Sequence, residues 1–316
     1  MGIGASAVAA LLAVLERPST WLLALVGFLV RGGWLVILAP ILVLPTPVGL
    51  ANVIAPIVED IAFGRQTSEV ISAVVTTSVV LVVWVFVGGL LAAVTEVETV
   101  RQTASVLDRP FAEPSRRAVW RVLGVRFVTL IPLLIGLAWS VARIVSVAYR
   151  ELTVPSDVAT PITFRILAGA PDAVLVLLVT WLFSEIVGGL ATRRVVLAGR
   201  SVRRAASEAV GEARGQLGRC IGLGLVSAVV LLAVIALTGI ATGTAWAGLR
   251  GALADADTSA ATLALLVLFV GLFAGSLVIL GLTAAWRSAV WTVVAMDDGR
   301  DDAGTFGGGA PSRSGD

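Results

Sequence analysis

Long apolar runs recur from Trp21 to Val294, and the charged stretches between them are short and rich in arginine. Several of these runs exceed the roughly 20 residues that an α-helix needs to cross a bilayer. Hydrophobic residues make up 58% of the chain and charged residues 14%, a balance that a water-soluble globular domain does not have. The fold class expected is all-α: a polytopic integral membrane helical bundle with about six transmembrane helices and amphipathic interfacial helices.

Valine is abundant in these runs, most of all between Glu69 and Val94. In water, so much β-branched sequence reads as strand. In lipid an isolated strand leaves its backbone groups unpaired, whereas a helix pairs its own. The polar alternation of a barrel strand is also missing, so the runs are read as helices.

Six spans follow. The first covers Trp21 to about Leu44, interrupted at Arg31-Gly32-Gly33 and ended by Pro40, Pro45 and Pro47. Val48 to Ser68 reads as a surface helix and loop. The second span is Glu69 to Val94 and the third Val119 to Ala148. The fourth is Asp172 to Leu190, preceded by a short element around Ile162 to Leu167. The fifth is Leu217 to about Ala241, and the sixth Ala261 to Val294. Residues 1–20 are expected to form an interfacial segment, 21–296 the six-helix transmembrane domain and 297–316 a disordered cytoplasmic tail with nothing to bury.

Arginine placement sets the expected orientation. Four arginines (101, 109, 116, 117) lie between spans two and three, and seven (193, 194, 200, 203, 204, 214, 219) between spans four and five. The alternate connections hold Arg65, then Arg150 and Arg165, then Arg250. By the positive-inside rule both termini are expected in the cytoplasm of a bacterial plasma (inner) membrane protein.

Missing residue types narrow the chemistry. All 23 basic residues are arginine, with no lysine and no histidine. That removes histidine-dependent acid–base relays and histidine metal or haem ligation. Cys220 stands alone, so neither an intrachain disulfide nor a thiolate cluster forms. Gly222-Leu223-Gly224 sits inside a membrane run and is no dinucleotide fingerprint. No cofactor and no catalytic function are expected.

Glu185 is the one carboxylate well inside a span, and Arg126 lies at a matching depth on the third, so the two are expected to pair. With Arg31 they form a candidate intramembrane polar site, the default reading of ionisable residues at such depth. Arg193, Arg194, Arg200, Arg203 and Arg204 are candidate contacts for lipid headgroups. They are expected on a helical extension of span four that lays Val195, Val196, Leu197, Val202, Ala205 and Ala206 on the membrane. Arg287, between Trp286 and Trp291, reads as an interfacial anchor.

Gly239-x-x-x-Gly243 and Gly271-x-x-x-Gly275 place small residues on helix faces where backbones can approach. Val87-Gly88-Gly89-Leu90 returns as Val187-Gly188-Gly189-Leu190, a faint parallel repeat that duplication or chance explains. The expected partners are the lipid bilayer, including anionic headgroups, and other membrane proteins; nucleic acid is not among them, since aromatic stacking residues are lacking. The expected function is that of an accessory, assembly or lipid-facing bundle. The alternative is a small-solute or ion permease built on Glu185 and Arg126.

Overall fold

The computed structural model describes residues 2–42, 67–108, 116–154, 156–157, 159–254 and 260–305. The described residues are predominantly helical and include no strand. In order the elements are α1 (Ile3–Leu15), α2 (Ser19–Phe28), a π-helical segment Leu29–Gly33, α3 (Trp34–Leu38), α4 (Ser68–Val83), a second π segment Trp84–Gly88 and α5 (Gly89–Val106). They continue as α6 (Arg116–Thr153), α7 (Ile162–Gly169), α8 (Pro171–Ala198), α9 (Val202–Gly215), α10 (Leu217–Ala254) and α11 (Ala260–Thr305).

Six stretches are long and apolar enough to cross a membrane: Ser19–Leu38, Val70–Val106, Arg116–Thr153, Pro171–Ala198, Leu217–Ala254 and Ala260–Asp297. The chain is a multi-pass membrane helix bundle. Each expected span is present, and the short element before span four is α7. Three of the spans run to 38 residues, about 57 Å at the helical rise. The surface helix and loop expected over Val48–Ser68 falls, for 48–66, outside the described residues, as do Pro45, Pro47, Arg65 and Arg109.

Two expectations change. The extension of span four is not one helix. Gly199 adopts φ +64°, its amide donates to the Val195 carbonyl and that of Arg200 to the Arg194 carbonyl, so α8 closes in a left-handed cap. Ser201 then starts α9 as a separate helix. The segment assigned to a tail from residue 297 begins as helix, because α11 continues to Thr305; 306–316 lie outside the described residues.

By contacts the chain divides into two compact units. One comprises Met1–Thr20, Val97–Val230 and Ala285–Asp316; the other comprises Trp21–Glu96 and Leu231–Ala284.

In the first unit, α6 and α8 pack along their length at small residues. A Cβ on Gly136 would lie 2.5 Å from the Thr180 hydroxyl, and one on Gly188 3.0 Å from that of Thr129. Such close backbone approach is what glycine gives a lipid-embedded helix pair. At one end the Ser140 hydroxyl donates to the Ala173 carbonyl at 2.9 Å. At the other, α9 folds back along α8 and α6. It buries Ala205, Ala209, Glu212 and Ala213 and leaves Arg203, Arg204, Ser207 and Arg214 exposed. Helix α1 is held by the Trp286 indole N–H, which donates to the Ala7 carbonyl at 2.9 Å, and by Arg219, which donates to the Ser6 hydroxyl at 3.0 Å.

In the second unit the two π segments meet. A Cβ on Gly88 would lie 3.2 Å from the Val30 carbonyl oxygen, and the rings of Trp34 and Trp84 meet at a tilt of 49° with centroids 5.6 Å apart. Gly32 takes φ +102°, which a side chain rarely tolerates. The Gly239/Gly243 face seats Pro40, whose ring atoms would lie 3.7 and 3.2 Å from added Cβ atoms. That glycine pair is an intrachain packing surface. Among the described residues nothing comes within 4 Å of a Cβ added at Gly271 or Gly275.

Candidate functional site

The candidate polar site is built on one face of α8. Glu185, Gly189 and Arg193 follow each other at four-residue steps, with Gly188 three residues from Glu185, so helical geometry alone aligns them. Against this face α11 brings two adjacent pairs one helical turn apart, Arg287-Ser288 and Trp291-Thr292.

Glu185 Oε2 and Arg287 Nη2 form a salt bridge at 2.9 Å, with both side chains about one-fifth exposed. Arg126 of α6 lies beside Gly188, one turn further along α8: its Nη1 would be 3.3 Å from a Cβ there. The arginine that reaches Glu185 is therefore Arg287, expected from sequence as an interfacial anchor. An acid at that depth is offset by whichever guanidinium the helix packing brings within contact range.

Arg193 departs furthest from its expected role. A headgroup contact must be exposed, yet Arg193 is 1% exposed. Its guanidinium donates to the Ser288 hydroxyl at 2.6 Å, the Ser288 carbonyl at 2.8 Å, the Gly189 carbonyl at 3.1 Å and the Thr292 hydroxyl at 3.4 Å. The planar fork of guanidinium donors suits so many acceptors at once. Arg193 fastens α8 to α11. Beside it Trp291, 2% exposed, lies flat over Gly189, where a Cβ would be 3.1 Å from the ring.

Arg194 is committed as well, since its Nη2 donates to Glu212 Oε2 at 2.9 Å and ties α8 to α9. Val195, Val196 and Ala205, expected on the membrane, are buried against the protein instead. Arg200 and Arg204 share Glu208 at 3.5 and 2.8 Å, and Arg203 and Arg204 are exposed. Arg121 donates to the Gly199 carbonyl at 2.8 Å, capping the end of α8.

Arg31 belongs to the other unit. There its Nη2 donates to Glu96 Oε2 at 2.7 Å, and the Glu96 side chain is 7% exposed. Sequence reasoning missed Glu96, which opens a stretch read as aqueous connection. The same unit holds a crevice of about 10 Å³, room for about one water, lined by Val36, Ile37, Ile235, Phe273 and Leu280 with Thr238, Thr242 and Ser276. Each of those three hydroxyls donates to a carbonyl of its own helix, so the crevice presents an apolar wall.

Among the described residues no three His, Cys, Asp or Glu side chains gather as a metal-binding group. Compared with known protein families, with characterised proteins and with solved structures, the chain matches none.

Proposed function

We propose that the chain is an accessory or assembly bundle of a bacterial plasma membrane, with both termini in the cytoplasm, that acts by holding lipid and neighbouring membrane proteins. The observation that carries this reading is how the intramembrane charges are used. Arg193 hydrogen-bonds Ser288 and Thr292, Glu185 forms an ion pair with Arg287, and Arg31 pairs with Glu96. Each contact fastens one helix to another, which is what a scaffold requires and a proton relay does not. The exposed arginines of α9, with Arg200, support contact with anionic headgroups.

The alternative is a permease working through Glu185 and Arg126. It is supported by the residual exposure of Glu185, 19% of its side chain. Purification in mild detergent, with identification of co-purifying proteins and lipids, separates the two. A stable partner is expected. Solute flux or proton uptake by the chain alone in liposomes, lost in Glu185→Gln at normal abundance and fold, overturns the accessory reading.

A further inference from the structure

Helix α7 is inside out for a protein surface in water, and the end of α6 beside it buries its Glu151 while exposing Arg150 among apolar side chains. Arg165 of α7 turns inward: its Nη1 lies 3.3 Å from Glu151 Oε2, with the two side chains 12% and 6% exposed. Ser156 closes the same knot, donating from its amide and its hydroxyl to Glu151 at 3.0 and 2.8 Å. Ile166 packs inward on Val147, Ala170 and Ala173. What α7 shows to its surroundings is Ile162, Thr163, Phe164, Leu167 and Ala168, none of them charged. Beside them stand Tyr149, Leu152 and Val154, each about 70% exposed.

Water would favour the opposite arrangement, with charge outward and rings inward. Charge turned in and rings turned out mark an apolar surrounding medium. Protein or lipid could supply that medium, and continuity decides for lipid. The exposed apolar face of α6 runs unbroken in kind from Phe127 through Ile131, Ile135 and Val145 to Leu152. The rise from Phe127 to Leu152 is about 37 Å, close to the thickness of a bilayer with part of its headgroup layer. The patch on α7 prolongs that face at its end, where the exposed Arg150 is long enough to reach headgroup phosphates.

We propose that α7 is a half-helix embedded in the outer leaflet, with Phe164 and Leu167 among acyl chains. Together with α8 it makes the fourth span a discontinuous helix, broken at Ala170 (φ −133°) before Pro171. The Glu151–Arg165–Ser156 knot turns its polar groups away from lipid. This rests on the reading of the chain as a lipid-facing bundle, and the test separates the two.

The full chain carries single nitroxide labels on Phe164→Cys, Leu167→Cys, Ile135→Cys or Ser207→Cys. Cys220 is fully buried, and a Cys220→Ala background removes its background labelling. The chain is reconstituted in phosphatidylcholine–phosphatidylglycerol vesicles, and collision with oxygen and with a water-soluble nickel chelate is measured. Labels at 164 and 167 are expected to follow Ile135, with oxygen collisions several-fold above nickel collisions, while Ser207 shows the reverse. Nickel access at 164 and 167 like that at Ser207 overturns the proposal. Protection from both reagents overturns it too, because protein then covers the patch. Nickel access at Ile135 itself overturns the bundle reading beneath it.

Discussion

Arg287 on α11 forms a salt bridge with Glu185 on α8 at 2.9 Å, and this contact joins two spans about a hundred residues apart in sequence. A carboxylate and a guanidinium held together away from water each depend on the other for compensation. Glu185→Gln and Arg287→Met are each expected to destabilise the bundle by about 1–3 kcal/mol, as expected when one partner of a largely buried polar contact is removed. The double substitution should cost less than the two single ones added together. Denaturant titration in mixed micelles measures all three, and simple additivity would show that the pair is not coupled.

The Arg193 knot is a stricter case, because that side chain is 1% exposed and spreads its donors over Gly189, Ser288 and Thr292. Lysine keeps the charge but offers a point donor in place of a fork. Arg193→Lys is expected to lower stability by roughly 1.5–3 kcal/mol, the scale of a hydrogen bond to a charged group. A thermal melt in detergent reads it. If lysine substitutes without loss, positive charge at that site is sufficient and the fork geometry is incidental.

Helix number, the positions of the spans and the short element before the fourth were legible, because length and apolarity report membrane crossing directly. What was not legible was azimuth. Sequence gives the depth of Glu185 along its helix, but both Arg126 and Arg287 lie near that depth. Only packing decides which face of which helix turns toward the acid. Arg193 was read with its exposed neighbours for the same reason, since one residue of rotation, about 100°, separates a buried arginine from one at the surface. The break at Gly199 did carry a signal: a glycine closing the helix, then Ser201 in the N-cap position of the next. Glu96 carried none beyond its charge, because its burial depends on Arg31 across 65 residues.

Orientation is tested separately. Reporter fusions after Ala254 and after Thr305 are expected to report opposite sides of the membrane, outer for the first and cytoplasmic for the second, given the arginine asymmetry. Signals from the same side would end the six-span threading with both termini inside.

The turn between α6 and α7 has its own pH dependence. The Thr160 hydroxyl, followed by the Ala159 amide, donates to Asp157 and holds its carboxyl below the ordinary aspartate range. A lowered carboxylate stabilises the turn at pH values above its unperturbed pKa, about 3.9, and that contribution is lost as pH falls through the lowered value. Amide exchange at Ala159 should therefore stay slow through neutral and mildly acidic pH and accelerate only in stronger acid. Thr160→Val is expected to move that onset upward; an unchanged onset would remove Thr160 as the cause.

Two glycines give a comparison within one chain. A Cβ at Gly136 meets the Thr180 side chain at 2.5, 2.9 and 3.1 Å through three of its atoms, whereas among the described residues nothing lies within 4 Å of one at Gly271. Threonine is β-branched and stiff at χ1, so it cannot swing clear, and α6 and α8 must separate to admit a methyl. Gly136→Ala is expected to cost about 1–3 kcal/mol, the usual penalty for overpacking a filled contact. Gly271→Ala should be neutral, or stabilising by up to about 1 kcal/mol from helix propensity. Unfolding in mixed micelles decides. A large loss at Gly271 would mean that its open face is occupied by another helix in the assembled protein, since lipid gives way to a methyl group and a packed backbone does not.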